Sequence, residues 1–245
     1  MKLEFVTTVD RTDLIEKGDK IIEQVWPEFM LHDAVANEYF FQLYSDFPEY
    51  QYWLLDGEEI VGTGNCIPIS WTGELADLPD EGWDWALEKG FNDLKAGLEP
   101  NLLCALSITI NPKYQGKGIS KEMIRSMVQI GIKSKLEKLI IPVRPTLKKE
   151  FQQLPMDDYI QKRDGSQLFD PWLRVHEKMG GKIIQVCSKA MDIRGTIQDW
   201  KDWTGLDFPK TGSYEIEGAL KPINIDLEKD EGIYIEPNVW IAHQL

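Results

Sequence analysis

The chain is poor in the residue types that carry metal, redox and nucleophilic chemistry. It has three cysteines and three histidines in 245 residues. Cys66, Cys104 and Cys187 are odd in number and stand at no metal or redox spacing, which argues against a disulfide framework, a zinc site and a thiol redox centre. They read as reduced, small hydrophobes of the interior. No apolar run approaches the ~18–20 residues that a membrane helix needs. The opening residues, MKLEFVTTVDRTDL, contain no apolar signal core, so the cytoplasm is the expected location and no membrane partner is expected. Bases are scarce as well: 27 Lys and Arg face 41 Asp and Glu, a net charge of −14. Nucleic-acid binding needs an extended basic surface, so this balance argues against such a partner and favours neutral or cationic small molecules. There is no internal repeat, low-complexity tract or clear linker.

Core material, by contrast, is ample: 42% of residues are hydrophobic and nine are tryptophan. The reading is one domain over residues 1–245, with insertions at about 74–100 and 146–170 and a C-terminal extension at about 192–245.

The stretch from Leu102 to Lys135 says most about function. Leu102 to Ile110 reads as a buried strand, with Cys104, Leu106, Ile108 and Ile110 on one face. Asn111-Pro112 ends it, since proline has no N–H for a ladder. Ile119, Met123, Met127 and Ile130 then fall at helical spacing, widened by Ile124 and Val128. Between strand and helix lies Tyr114-Gln115-Gly116-Lys117-Gly118-Ile119-Ser120. A helix start has unpaired N–H groups and a positive partial charge, so it suits an anion. Gly116 and Gly118 let the backbone turn tightly and approach a ligand. Lys113, Lys117, Lys121 and Arg125 gather here beside a single acid, Glu122, against the trend of the whole chain. A solvated basic helix start with ordinary turn glycines is the alternative.

This loop resembles the acyl-CoA-binding motif of the GNAT superfamily of N-acetyltransferases, Gln/Arg-x-x-Gly-x-Gly/Ala, here Gln115-x-x-Gly118-x-Ser120. Ser120 departs from the usual glycine or alanine but is small enough to pack there. The resemblance implies that Gln115, Gly116, Lys117, Gly118, Ile119 and Ser120 hold the pyrophosphate of acetyl-CoA or coenzyme A. It implies further that the strand at Ile108 and Ile110 splays to pair with pantetheine. The implied fold is α/β of the α+β kind: a GNAT-like, mixed, mostly antiparallel sheet flanked by helices, with a C-terminal β extension. The implied function is acetyl transfer from acetyl-CoA to an amine of a small molecule or peptide by direct attack. A non-catalytic acyl-CoA-binding or sensing protein is the second reading. A P-loop or dinucleotide site is disfavoured, because the loop lacks the Gly-Lys-Ser/Thr ending and the three-glycine pattern.

The remaining elements read in the order strand, helix, helix, strand, turn, strand, strand, helix, which suits that family. Lys2 to Val9 is a strand, Thr12 or Asp13 caps a helix over Leu14 to Val25, and His32 to Asp46 is a second helix. Tyr52 to Leu55 and Glu59 to Gly62 form a hairpin about Asp56-Gly57. Trp83, Trp85, Leu87 and Phe91 mark a helix that packs on the body or walls an acceptor pocket. Glu137 to Val143 is a strand, and Thr146 to Asp170 is a lid or a surface excursion with a short helix of its own. Pro171 starts a helix that Gly180-Gly181 stops. Lys182 to Val186, Lys221 to Leu227 and Gly232 to Ile235 read as strands.

For catalysis the family's second element, Tyr-x-x-x-Gly, supplies the acid that protonates the departing sulfur. Here His176 precedes Gly180 at that spacing, and its ordinary pKa of about 6.5 suits proton exchange; a packed or surface histidine is the alternative. Tyr159 is the rival acid. The strand from Leu102 to Ile110 holds no Asp or Glu, so Glu74, Asp77, Asp157 and Asp158 are candidate bases by position only. No metal site is expected, and Cys104 should be dispensable.

Overall fold

Antiparallel hairpins and one parallel crossover set the framework. The computed structural model describes residues 2–245. It opens with β1 (Leu3–Thr7) and helix α1 (Ile15–Val25). The segment expected as one helix over His32 to Asp46 is instead α2 (Ala34–Tyr39), a 3-10 turn at Phe40–Gln42, and α3 (Leu43–Asp46). Asp33 caps α2 by accepting the Ala36 amide at 2.8 Å, so the helix starts after His32. Neither Thr12 nor Asp13 caps α1: both lie in a 3-10 turn ahead of it, and Asp13 binds Arg11 instead.

The hairpin follows as β2 (Gln51–Asp56) and β3 (Glu59–Ile69), joined at Gly57 with φ +64°. Then come α4 (Gly82–Ala96), β4 (Leu102–Ile110), α5 (Ile119–Lys133) and β5 (Lys138–Val143). Between residues 146 and 170 lie α6 (Met156–Tyr159) and the small hairpin of β6 (Arg163–Asp164) and β7 (Gln167–Leu168). The chain closes with α7 (Pro171–Lys178), β8 (Lys182–Gly195), α8 (Ile197–Thr204), β9 (Gly212–Tyr214), β10 (Ile223–Asp226) and β11 (Glu231–Gln244).

The main sheet runs β1-β2-β3-β4-β5-β11-β10-β9, with β8 paired to β11. All its pairings are antiparallel except β4 with β5. β11 is therefore no appendage. It pairs with β5 through its second half, with β10 through its first, and with β8 along nearly all of its length. Pro237 sits at its register shift between Glu236 and Asn238, where a residue without an N–H is least costly.

α5 lays Ile119, Met123, Ile124, Met127 and Ile130 against the sheet, all buried. At about 1.5–3 kcal/mol per fully buried side chain this stripe anchors the helix firmly. Its packing fixes the loop before it.

Candidate active site

Three features of β4 open a cleft. First, β4 pairs with β5 only at Leu102–Cys104 against Lys138–Ile140. Beyond that the parallel neighbours part, so the edge from Ala105 to Ile110 has no strand beside it. Second, the pairing of β4 with β3 shifts register between Asn65↔Ser107 and Cys66↔Ala105, which leaves Leu106 as an extra residue. Such a bulge bends its strand and sharpens the local twist, and here it lies where the two parallel strands begin to diverge. Third, Trp83 of α4 donates Nε1–H to the Leu106 carbonyl at 2.8 Å, so the kinked carbonyl is satisfied.

The resulting cleft, about 590 Å³, runs between the end of β4, the end of β5 and the start of α5. Ile108, Ile110, Gln115, Gly116 and Ser120 line it. Gly118 forms the N-cap of α5 at φ +79°, and no side chain caps the helix. The amides of Ile119 and Ser120 are thus left for an external anion, while the Lys121 amide already donates to the Gly118 carbonyl at 3.2 Å. Gly116, at φ +74°, makes the other left-handed turn of the loop. The Lys117 ammonium stands over the Tyr114 ring, 4.7 Å from its centre. Gln115 reaches back toward the Ile110 carbonyl at 3.4 Å, while Lys113 and Tyr114 are both engaged by Glu59. Lys117, Gly118 and Ile119 are not themselves part of the cleft wall.

The far wall comes from residues that sequence reasoning missed. Arg144, at the end of β5, donates Nε–H to Glu236 at 2.5 Å and also binds the Gly218 carbonyl. Glu236 is wholly buried and takes a second hydrogen bond from Tyr234. Asn238, Trp172 and Lys149 complete this side. Nothing local in the sequence marks Glu236 or Asn238, because strand pairing of β11 with β5 alone brings them here.

A second cavity, about 350 Å³, opens on the α1 and α2 side. It shares Trp26, Trp83, Leu106, Ser107 and Met191 with the cleft. The two spaces therefore meet at the bulge. Trp26 is held there by donating Nε1–H to Thr109 Oγ1 at 3.0 Å.

The expected acids and bases lie elsewhere. His176 is fully buried under Trp172, with Nδ1 3.0 Å from His243 Nε2. Burial, then the neighbouring His243, pushes its pKa down to about 3, so it is neutral at physiological pH. Its other ring nitrogen, Nε2, has no hydrogen-bond partner, and the side chain is not part of the cleft wall. Tyr159 is also buried and donates to Asp170, which in turn caps α7 at Trp172 and Leu173. Glu74 and Asp77 form a capping box on a short turn beside the opposite ends of β4 and β5, and Asp157 and Asp158 sit on α6. None of these carboxylates faces either space. Cys104 is completely buried, and burial holds its thiol well above the ordinary range, so it is no nucleophile.

The splayed parallel strands, the bulge and the uncapped helix start together shape the cleft. The model of the acetyltransferase (GNAT) family matches residues 18–150. An arginine N-acetyltransferase, avaD, of Aspergillus versicolor is 31% identical over 272 residues, covering 98% of this chain and 93% of that protein. YkwB of Bacillus subtilis (strain 168), an uncharacterized N-acetyltransferase, is 25% identical over 206 residues, covering 80% of this chain and 86% of its own. Among solved structures, the loading GNATL domain of CurA from Lyngbya majuscula superposes with a TM-score of 0.59 at 19% identity, covering 99% of this chain and 96% of that one. The chain belongs to the GNAT acetyltransferase family, and it is an N-acetyltransferase with acetyl-CoA as co-substrate. The enzyme reading of the sequence thus stands over the sensor reading.

Proposed function

We propose that this enzyme acetylates the amine of an arginine-like acceptor, with acetyl-CoA in the cleft and the acceptor in the α1–α2 cavity. The observation that carries this reading is the meeting of the two spaces at the Leu106 bulge, where an amine from one side reaches a thioester on the other. The arginine N-acetyltransferase that matches nearly the whole chain supports the acceptor class.

Each part of the chain then has a task. The amides from Gly116 to Ser120 and the positive end of α5 hold the pyrophosphate, with Lys117 adding charge. The unpaired edge of β4 from Ala105 to Ile110 offers backbone groups to the pantetheine arm, as a further strand would. An amide of the same edge donates to the thioester oxygen as negative charge develops on it. The acceptor nitrogen forms the new C–N bond, the C–S bond breaks, the nitrogen gives up one proton and the sulfur gains one. Holding both reactants at one junction supplies most of the acceleration, which suits a site without a dedicated acid at His176 or Tyr159. Those two side chains serve instead to fix α7 against β11 and the 146–170 segment.

Release of free CoA thiol from acetyl-CoA, followed with arginine, lysine and simple primary amines, tests this. Arginine-dependent release with a product one acetyl group heavier is expected. Release with other amines but never with arginine would remove the acceptor class, and no release with any amine would remove the reading altogether.

A further inference from the structure

The cavity beside α1 is asymmetric in its chemistry, and that asymmetry names its ligand. Its inner end is Ser107, nine-tenths buried at the junction with the cleft. The polarity of Ser107 is set by a buried chain of amides behind it. Gln51 donates through Nε2 to the Phe47 and Cys66 carbonyls at 2.8 and 2.9 Å, and carbonyls can only accept. Its Oε1 must therefore accept, and it takes Asn65 Nδ2–H at 3.2 Å. Asn65 Oδ1 is then also an acceptor, and it receives the Ser107 hydroxyl proton at 2.7 Å. Ser107 has no proton left to give, so it presents lone pairs to whatever enters the cavity. Gln51 and Asn65 are both buried, and the two backbone carbonyls fix the direction of the chain.

The wall that α1 contributes is acidic. Asp19 and Glu23 lie on the stripe of α1 that ends at Trp26, about 10 and 5 Å before it at 1.5 Å per residue. Asp19 is half-buried, with Oδ1 taken by the Tyr44 hydroxyl at 2.7 Å and Oδ2 free of hydrogen bonds. Burial raises its pKa, and the Tyr44 hydrogen bond opposes that rise. Glu23 is exposed at the rim. Trp26, Phe40 and Trp83 also line the cavity, and among the described residues no Lys, Arg or His does. Aromatic faces and carboxylates together favour a cation over a neutral or anionic group.

From this we infer that the cavity is a two-ended acceptor site. Ser107 accepts an N–H of the attacking amine, and Asp19 with Glu23 binds a second, permanently cationic group at the far end of the acceptor. The ligand class is a guanidino- or ammonio-alkyl amine, acetylated at the nitrogen remote from the α1 acids. For an arginine this means the α-nitrogen, with the guanidinium held by α1. The inference rests on the acceptor reading above and adds the residues that read the acceptor and the nitrogen that reacts.

The test compares arginine with citrulline, whose side chain has nearly the same shape but no charge. Wild-type enzyme should prefer arginine in kcat/KM by roughly 10- to 100-fold, the range of one or two charge-assisted hydrogen bonds. In the double variant Asp19→Asn, Glu23→Gln that preference should shrink to within about threefold, chiefly through a higher KM for arginine, with KM for acetyl-CoA unchanged. Glu23→Gln alone, at the exposed rim, gives a partial loss in a protein certain to fold. Ser107→Ala should lower kcat for both acceptors about equally and leave their ratio intact. Equal use of arginine and citrulline by the wild type, or a double variant that keeps the preference, would overturn the two-ended site while the acetyltransferase reading survives. So would a double variant that loses both substrates equally in kcat, since the acids would then serve the chemistry and not recognition. Failure of the wild type to acetylate any amine would instead remove the reading on which the inference rests.

Discussion

Gly118 holds the start of α5 at φ +79° with open space around the position a Cβ would take. A side chain there meets no neighbour, so the whole cost of replacing it is conformational. Gly118→Val should lower stability by about 1–2 kcal/mol through the left-handed backbone, and it should weaken acetyl-CoA binding measured by calorimetry. An unchanged affinity would move the pyrophosphate off this loop. Asp84 offers a second test at this scale. Burial, then the nearby Asp33 carboxylate, raises its pKa from 3.8 to about 8, with Glu88 and Asp192 adding to the rise and the Asp192 amide opposing it. Asp33 is itself raised to about 6. One oxygen of each, Asp33 Oδ2 and Asp84 Oδ1, is buried without a partner. In the unfolded chain Asp84 ionises near pH 4, whereas in the fold it keeps its proton up to about pH 8. The fold therefore loses stability as pH rises through that window and levels off above it. Asp84→Asn should melt higher than wild type at pH 9, with the gap closing toward pH 4; a gap independent of pH would refute the assignment. His176 completes the set. Buried and neutral beside His243, it should tolerate replacement by Gln with turnover within about threefold, against a loss of 10²–10⁴-fold expected of a general acid.

At the scale of elements, α1 is placed by a glycine. A Cβ on Gly18 would lie 2.4 Å from Nε1 of Trp53, a side chain that is itself buried and cannot retreat. Alanine is the better helix former by about 1 kcal/mol, yet Gly18→Ala should destabilise the protein by lifting α1 from β2. Because Asp19, Glu23 and Trp26 travel with that helix, KM for the acceptor should rise while KM for acetyl-CoA stays. A rise in melting temperature would show that α1 is not seated as described. β4, the glycine loop and α5 could be read directly from the sequence, since strand, turn and helix there are contiguous and their periods change cleanly. The bulge at Leu106 could not, because it exists only relative to β3. The fragmenting of the helix expected after His32 follows from the Asp33 cap and tertiary packing, which override its apolar spacing. The family resemblance points to His176 by its spacing to Gly180, and spacing does not report that the ring faces inward.

Across the whole molecule, the two halves of the chain are joined at the cleft. Arg144 ends the strand that family motifs lead to, and Glu236 belongs to β11, more than ninety residues later and without a motif of its own. That separation is why the far wall was illegible: strand order, not local pattern, brings Glu236 and Asn238 to β5. Glu236→Ala leaves the Arg144 guanidinium largely buried with its partner gone, so it should cost about 3–5 kcal/mol in denaturant unfolding. A loss below about 1 kcal/mol would mean that the pair does not hold the halves together. With acetyl-CoA in the cleft and the acceptor in the cavity, as we propose, donor and acceptor are bound at once and no acetyl group rests on the protein. Steady-state rates measured over a grid of acetyl-CoA and arginine concentrations test this most directly. The account predicts double-reciprocal lines that intersect, the mark of a ternary complex. Parallel lines, the mark of a ping-pong reaction through an acetyl-enzyme, would contradict it.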